Sequence, residues 1–244
     1  MTKSLALIAL TGLFALAGGA PAFAQAAGAS AGADQPLFID VNAGLAAKPA
    51  ALTTSTTFTV FGESGAAATR MEPGTAGMFD VRVGYRLKPR FGVAAALSAG
   101  RSDVAASTTA SVPSPIRFAS PTTVSLDAGT SSRRETGLHL QAVYALPLSN
   151  SLLLSIAGGP SIVHLQQGVP NVTVAGGGTP SVVFATESAN SLGANVGVDL
   201  STLFSTHVGV GAFVRYVAAG VDLPSASDVK AGGVQAGGGV RVRF

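Results

Sequence analysis

The chain has no cysteine and no tryptophan, and only 11% of its 244 residues are charged. Without cysteine there is no disulfide scaffold, no thiolate metal site, no cysteine nucleophile and no lipid-attachment residue of the kind a bacterial lipoprotein carries after its leader. A mean hydropathy of +0.45 is too apolar for an ordinary soluble domain. Yet beyond the first residues no apolar run reaches the roughly 18 residues of a membrane-spanning helix. The hydrophobicity is therefore dispersed along the chain. Fifteen basic residues against 12 acidic ones leave a formal charge of +3, an excess too small to leave a nucleic-acid footprint.

The N-terminus has the form of an export signal. Lys3 supplies a positive start, Leu5 to Ala17 form a short apolar core, and Ala22-Phe23-Ala24 fits a small-x-small cleavage site. Residues 1–24 are thus expected to be a cleaved signal peptide, with the mature chain starting at Gln25. Residues 25–36, rich in Ala and Gly, read as a loose lead-in.

From Leu37 to the end, apolar residues alternate with small or polar ones at period two, which predicts strands with two chemically different faces. Leu37, Ile39, Val41, Ala43 and Leu45 oppose Asp40, Asn42 and Gly44, while Phe79, Val81, Val83, Tyr85 and Leu87 oppose Asp80, Arg82, Gly84 and Arg86. A third strand starts at Phe91, and a fourth sets Leu138, Leu140, Ala142, Tyr144 and Leu146 against Glu135, Gly137, His139 and Gln141. The fifth, from Leu152, contains Gly158-Gly159-Pro160, which predicts a bulge that shifts its phase. Strands six to eight alternate around Asn195, Gly197 and Asp199, then His207, Gly209, Gly211, Phe213 and Arg215, then Gln235, Gly237, Gly239, Arg241 and Arg243.

Connections of roughly 27, 31, 20 and 10 residues alternate with ones of roughly 3 to 5. Long connections at one end and tight turns at the other, with an even strand number, define an all-β, eight-stranded antiparallel up-and-down transmembrane β-barrel spanning residues 37–244. A soluble barrel would bury its apolar face, but here the other face is mostly Gly and small residues, a poor solvent surface and a good crowded interior. The apolar face is therefore assigned to lipid. Tyr85, Phe91 and Tyr144 sit on that face near the short turns, and Tyr216 near the opposite rim, as an interfacial aromatic girdle would.

The leader, the alternating strands and the terminal Val240-Arg241-Val242-Arg243-Phe244 resemble the small outer-membrane β-barrel proteins of Gram-negative bacteria, the OmpA/OmpW-like group. The resemblance covers essentially the whole mature chain. It implies location in the outer membrane, lipid as the surrounding partner, and recognition of Phe244, Val242 and Val240 by the barrel assembly machinery. Gly238 is smaller than the family's pattern at its position. No periplasmic peptidoglycan-binding domain is expected after the barrel.

Inward positions hold Asp40, Asp80, Glu135 and Asp199 against Arg82, Arg86, Arg215, Arg241 and Arg243. Two polar layers are expected, Asp40, Arg86, Asp199 and Arg241 lying toward the periplasmic end and Asp80, Glu135 and Arg215 higher. Such charges can plug and brace a narrow barrel or line an ion path, and composition alone does not choose. The three histidines, His139, His164 and His207, form no trio with Ser and an acid at the lipid-facing rim, so no enzymatic activity is expected. No metal-ligand cluster and no cofactor site are found. Gly176-Gly177-Gly178 and Gly237-Gly238-Gly239 are not phosphate loops, because neither precedes a helix, and Asn171-Val172-Thr173 is taken as a chance sequon.

The connections at about 47–74, 102–132 and 166–186 are rich in Ser, Thr, Ala, Gly and Pro and carry whatever recognition exists. Their apolar residues, Phe58, Val60, Phe61, Ile116, Phe118, Val182, Val183 and Phe184, fit strands extended beyond the membrane with loops packed over the mouth, or else a ligand-gathering surface. The expected role is structural or surface-interactive and non-catalytic. A small channel or hydrophobic-solute conduit, with Phe58, Phe118 and Phe184 at its mouth, is the alternative, and the surface ligand is unknown.

Overall fold

The computed structural model describes residues 35–175 and 179–244. The leader, nearly all of the lead-in, and Gly176-Gly177-Gly178 lie outside these residues. Ten strands form one antiparallel sheet: β1 Leu37–Ala46, β2 Leu52–Val60, β3 Glu63–Pro73, β4 Ala76–Lys88, β5 Phe91–Val112, β6 Thr122–Pro147, β7 Leu152–Val174, β8 Pro180–Leu203, β9 Val208–Leu223 and β10 Ala226–Arg243. Eight of them, β1, β4, β5, β6, β7, β8, β9 and β10, close into a ring through β1–β10 and β5–β6 pairing. The seam between first and last strand is tied by backbone bonds from Phe244 N to Leu37 O at 2.9 Å and from Leu37 N to Phe244 O at 3.3 Å. Closure leaves the ring no unpaired edge, which a wall in lipid requires.

Two findings differ from the sequence-based expectations. The segment 47–74 is not a loop but the hairpin β2–β3, attached to the upper half of β5 through pairs from Ala66–Ser111 to Pro73–Val104. Strand β5 thus changes partner, pairing with β4 as far as Arg101 and with β3 from Val104 onward. And Gly158-Gly159-Pro160 makes no bulge. Pairing with β6 lapses opposite Gly159 and Pro160 and resumes in the same register, while pairing with β8 runs through unshifted. Proline lacks the N–H for one ladder bond, but a missing bond does not insert a residue, so the phase of β7 is kept.

Above the ring the wall divides. β8 pairs with β9 only from Gly193 to Leu203, β6 with β7 only from Arg133 to Pro147, and β1 with β10 only as far as Ala46. Beyond those points the strands continue as three ribbons: β2–β3–β5–β6, β7–β8 and β9–β10. β5 runs for 22 residues and β6 for 26, so most of the expected long loops are ordered sheet.

On β5 the chemistry of the faces reverses at this division while side-chain parity holds; on β6 a register shift between Asp127 and Gly129 changes the parity. On β5 the inward positions are Gly92, Ala94, Ala96, Ser98, Gly100 and Ser102 below, then Val104, Ala106, Thr108, Ala110 and Val112 above, Thr108 being hydrogen-bonded to Thr69. The outward positions are Phe91, Val93, Leu97 and Ala99 below, then Arg101, Asp103, Ser107 and Thr109 above. Below, the wall is apolar outside and polar inside. Above, it is polar outside and apolar inside, as a water-soluble sandwich must be.

Candidate functional site

The ring's interior is filled by a continuous stack of paired polar groups. Nearest the short turns, Asp40 accepts from Arg243 Nη1 at 2.6 Å and from Arg82 Nε at 2.8 Å. The Phe38 ring lies under both guanidinium groups, 5.7 Å from Arg82 and 5.2 Å from Arg243, and over Gly84, where a Cβ would collide with it. Phe38 sits at a polar-face position, so the alternation gave no hint of an inward aromatic. Arg86 shares the same face and lines one hollow with Phe38 and Arg243.

One level in, Arg241 is fully buried and donates to Asp199 Oδ2 at 2.5 Å and to Asn42 Oδ1 at 2.6 Å. Asn42 Nδ2 in turn donates to Asp80 at 3.1 Å, Asp80 pairs with Arg215 at 3.0 Å, and Arg215 donates to Gln235 at 2.7 and 2.9 Å. Next comes a neutral layer. Gln141 donates to Asn195 at 2.7 Å, Asn195 donates to Ser161 at 2.9 Å, and His139 is held between Ser161 at 2.8 Å and Ser98 at 2.9 Å.

Glu135 belongs to a third cluster, built on Arg133, a residue that sequence reasoning left at the edge of a loop. Arg133 donates to Glu135 at 2.5 Å, to Gln167 at 2.6 Å and to the Lys230 carbonyl at 2.6 Å, and Glu135 accepts from the Gly232 N–H at 2.8 Å. Between the neutral layer and this cluster lies a cavity of about 30 Å³, lined by Ser98, His139, Glu135, Arg133 and Gln235, room for one or two waters. Polar groups buried this deeply are stable only when paired.

Above Arg133 the three ribbons close over the ring. Leu165, Val217, Val221, Leu223 and Val229 form one core between β7, β9 and β10. Met71, Val104 and Ala106 form another with Leu52 and Phe184, and Val60, Val112 and Val172 a third with Phe58. Phe58 and Phe184 thus pack in a dome rather than lining an open mouth. Phe118 stands at the far tip, 86% exposed, beside Ile116 at 89%. The tip loop is pinned by the Ala119 N–H on Glu63 Oε1 at 3.1 Å, next to the Phe61–Gly62 turn of the hairpin, where both residues have positive φ.

On the outer wall, Phe91 and Tyr144 are register partners with ring centroids 4.8 Å apart. Tyr85, Phe91 and Tyr216 are half exposed, and Val240, Val242 and Phe244 lie on the same outward face at the closing seam. His207 is exposed in a turn, its Nδ1 2.8 Å from Thr206 Oγ1, and not on an inward strand position; His164 is exposed on the outer wall against Asn190. Among the described residues no group of three or more His, Asp or Glu is placed to hold a metal ion.

A family model for the outer membrane protein beta-barrel domain matches residues 10–244. The chain belongs to this family. It is an outer-membrane barrel of Gram-negative type, surrounded by membrane lipid. No curated protein matches it in sequence. Among solved structures it is similar to Neisserial surface protein A, with 14% identity over 85% of this chain and 97% of that one and a TM-score of 0.44. It is similar also to the outer membrane protein OprG of Pseudomonas aeruginosa, with 12% identity over 86% and 96% and a TM-score of 0.47. A third is the outer membrane protease OmpT of Escherichia coli, with 10% identity over 86% and 97% and a TM-score of 0.44. The expectation of no enzymatic activity does not stand, because outer-membrane barrels include a protease.

Proposed function

We propose that this outer-membrane barrel is a closed scaffold that presents a rigid β dome for contact with surfaces or ligands outside the cell. The observation that carries this reading is the tip: Ile116 and Phe118 flank Arg117 in full exposure, on a loop tied to the β2–β3 hairpin rather than free. An exposed apolar group held at fixed geometry loses little entropy on contact. The filled lumen and apolar dome core support display over passage. Cells expressing the full chain are expected to partition into hexadecane and to coat polystyrene more than cells expressing the I116S/F118S variant at equal surface level. Equal partitioning by the two would end this reading.

A small-solute conduit has one observation in its favour: the β6–β7 ladder lapses at Pro160, beside the neutral layer around His139 and Ser161. Against it, polar clusters fill the lumen on both sides of that point.

For biogenesis, we infer that residues 1–24 are removed as a leader, that 25–36 precede the barrel as a lead-in, and that the outward row Val240, Val242 and Phe244 is read by the barrel assembly machinery. Intact mass of the outer-membrane form is expected to start at Gln25. Deleting Phe244 is expected to reduce assembled, heat-modifiable protein severalfold while secreted precursor persists; normal assembly without Phe244 would remove the signal from this residue.

A further inference from the structure

Directly above the apolar band of the outer wall, the β5–β6 ladder sets Arg101 opposite Arg134, both exposed and both outward. Like charges facing each other across a ladder repel unless an anion lies between them. Neither guanidinium has an ion pair or side-chain hydrogen bond with a described residue, and Asp103, two positions up the same face, pairs with neither. Two other exposed cations are paired, Arg70 with Glu72 at 2.7 Å and Lys230 with Asp228 at 2.6 Å, whereas Lys48, Lys88, Arg90 and Arg117 also lack such partners among the described residues; what sets Arg101 and Arg134 apart is that they face each other across one ladder. The row continues across the wall, with Arg134 opposite Gln166 and Gln166 opposite Ser188, adding uncharged hydrogen-bonding groups beside the two cations.

The height of the pair says what meets it. Phe91 and Tyr144 are partners in the same ladder, ten residues below Arg101 and Arg134. Ten residues rise about 33 Å along a strand, and a tilt of about 40° leaves about 25 Å along the membrane normal, the height of an outer-membrane barrel's apolar band. With the aromatic pair at the periplasmic interface, the arginine pair stands at the headgroup level of the outer leaflet. A guanidinium fork matches phosphate oxygens two at a time, and more strongly where lipid thins the surrounding water.

We propose that Arg101 and Arg134 together bind a phosphate of a phosphorylated glycolipid in the outer leaflet, with Gln166 and Ser188 beside its sugar. The full chain, an R101Q/R134Q variant and an R117Q control altered at the tip are extracted from outer membranes in mild detergent. Native mass spectrometry then counts retained glycolipid, and the mobility shift of unboiled samples verifies closed barrels. The unaltered chain and R117Q are expected to keep a glycolipid, and R101Q/R134Q to keep at least about fivefold less, as loss of charge-assisted bonds implies. In vesicles doped with the glycolipid, the phosphorylated form is expected to associate and its dephosphorylated form not. Millimolar inorganic phosphate is expected to leave the lipid in place. Equal retention by R101Q/R134Q, equal loss in R117Q, or equal association of the dephosphorylated lipid each overturns the proposal. Displacement by inorganic phosphate overturns the lipid assignment in favour of a free-anion site.

Discussion

Replacing Arg241 with Met is expected to lower the barrel's unfolding free energy by about 3–5 kcal/mol, the range for breaking a buried ion pair from one side. Arg241 is fully buried and makes two short contacts in the lower stack, to Asp199 at 2.5 Å and Asn42 at 2.6 Å. Methionine fills much of the space but strands the Asp199 carboxylate, whose remaining cation is Arg82 at 3.7 Å. The cost is that of a desolvated charge rather than of lost packing, so the double variant R241M/D199N is expected to recover a substantial part of it. An exposed pair gives the contrast: Arg70→Ala, which removes the partner of Glu72, is expected to cost less than about 1 kcal/mol. Urea titration in lipid vesicles, read by the fraction of protein keeping its unboiled mobility, measures all of these. An R241M midpoint indistinguishable from that of R70A would show that the stack does not brace the barrel.

Replacing Met71 with Asp is expected to open the dome and leave the ring closed. Met71 is completely buried at the junction of the hairpin with β5, against Val104, Ala106, Leu52 and Phe184. Truncating such a side chain costs about 2–5 kcal/mol, and a buried carboxylate adds to that. At about 2 kcal/mol the open population already rises some thirtyfold. The ribbons are joined to one another by side chains, as in the Ser225 hydroxyl on Glu187 at 2.5 Å, and the ring by backbone ladders, so the two parts open separately. Trypsin is accordingly expected to cut M71D at Arg70 much faster than the unaltered chain, while the unboiled mobility shift persists. Resistance at Arg70 equal to the unaltered chain would mean the hairpin is held by something other than this core, and loss of the mobility shift would mean that dome and ring fold as one unit.

The ring was legible in the sequence because each strand presents Leu, Val and aromatics on one parity and Gly, Ser, Asn and charge on the other. What escaped has physical causes. Strand β2, Leu52-Thr-Thr-Ser-Thr-Thr-Phe-Thr-Val60, and the upper half of β5 are built of small and β-branched residues, whose composition reads as loop although Thr favours strands. Their alternation is weak because the inward side chains are often Ala, enough to fill a narrow dome but not to mark a face. Arg133 and Phe38 were missed for a related reason: one lies where the apolar band ends and the other sits among polar positions, so neither follows the pattern that revealed its strand. The grouping of Asp40, Asp199, Arg82 and Arg241 required the shear of the barrel, which sets which strands' inward residues share a level and is not written in any single strand.

The reversal of face chemistry on β5 also acts as a depth gauge. A strand slipped by one residue would put Arg101 in the lumen and Phe91 against the ion stack, and in the same movement would turn Val104 and Val112 out to water. Misregistration is thus penalised in two solvents at once, where an ordinary sheet is penalised in one. A slip by two residues keeps the faces but shifts the Arg101 boundary by about 7 Å along the strand, away from the edge of the hydrocarbon. The same strand therefore fixes both its pairing and the height at which the barrel floats.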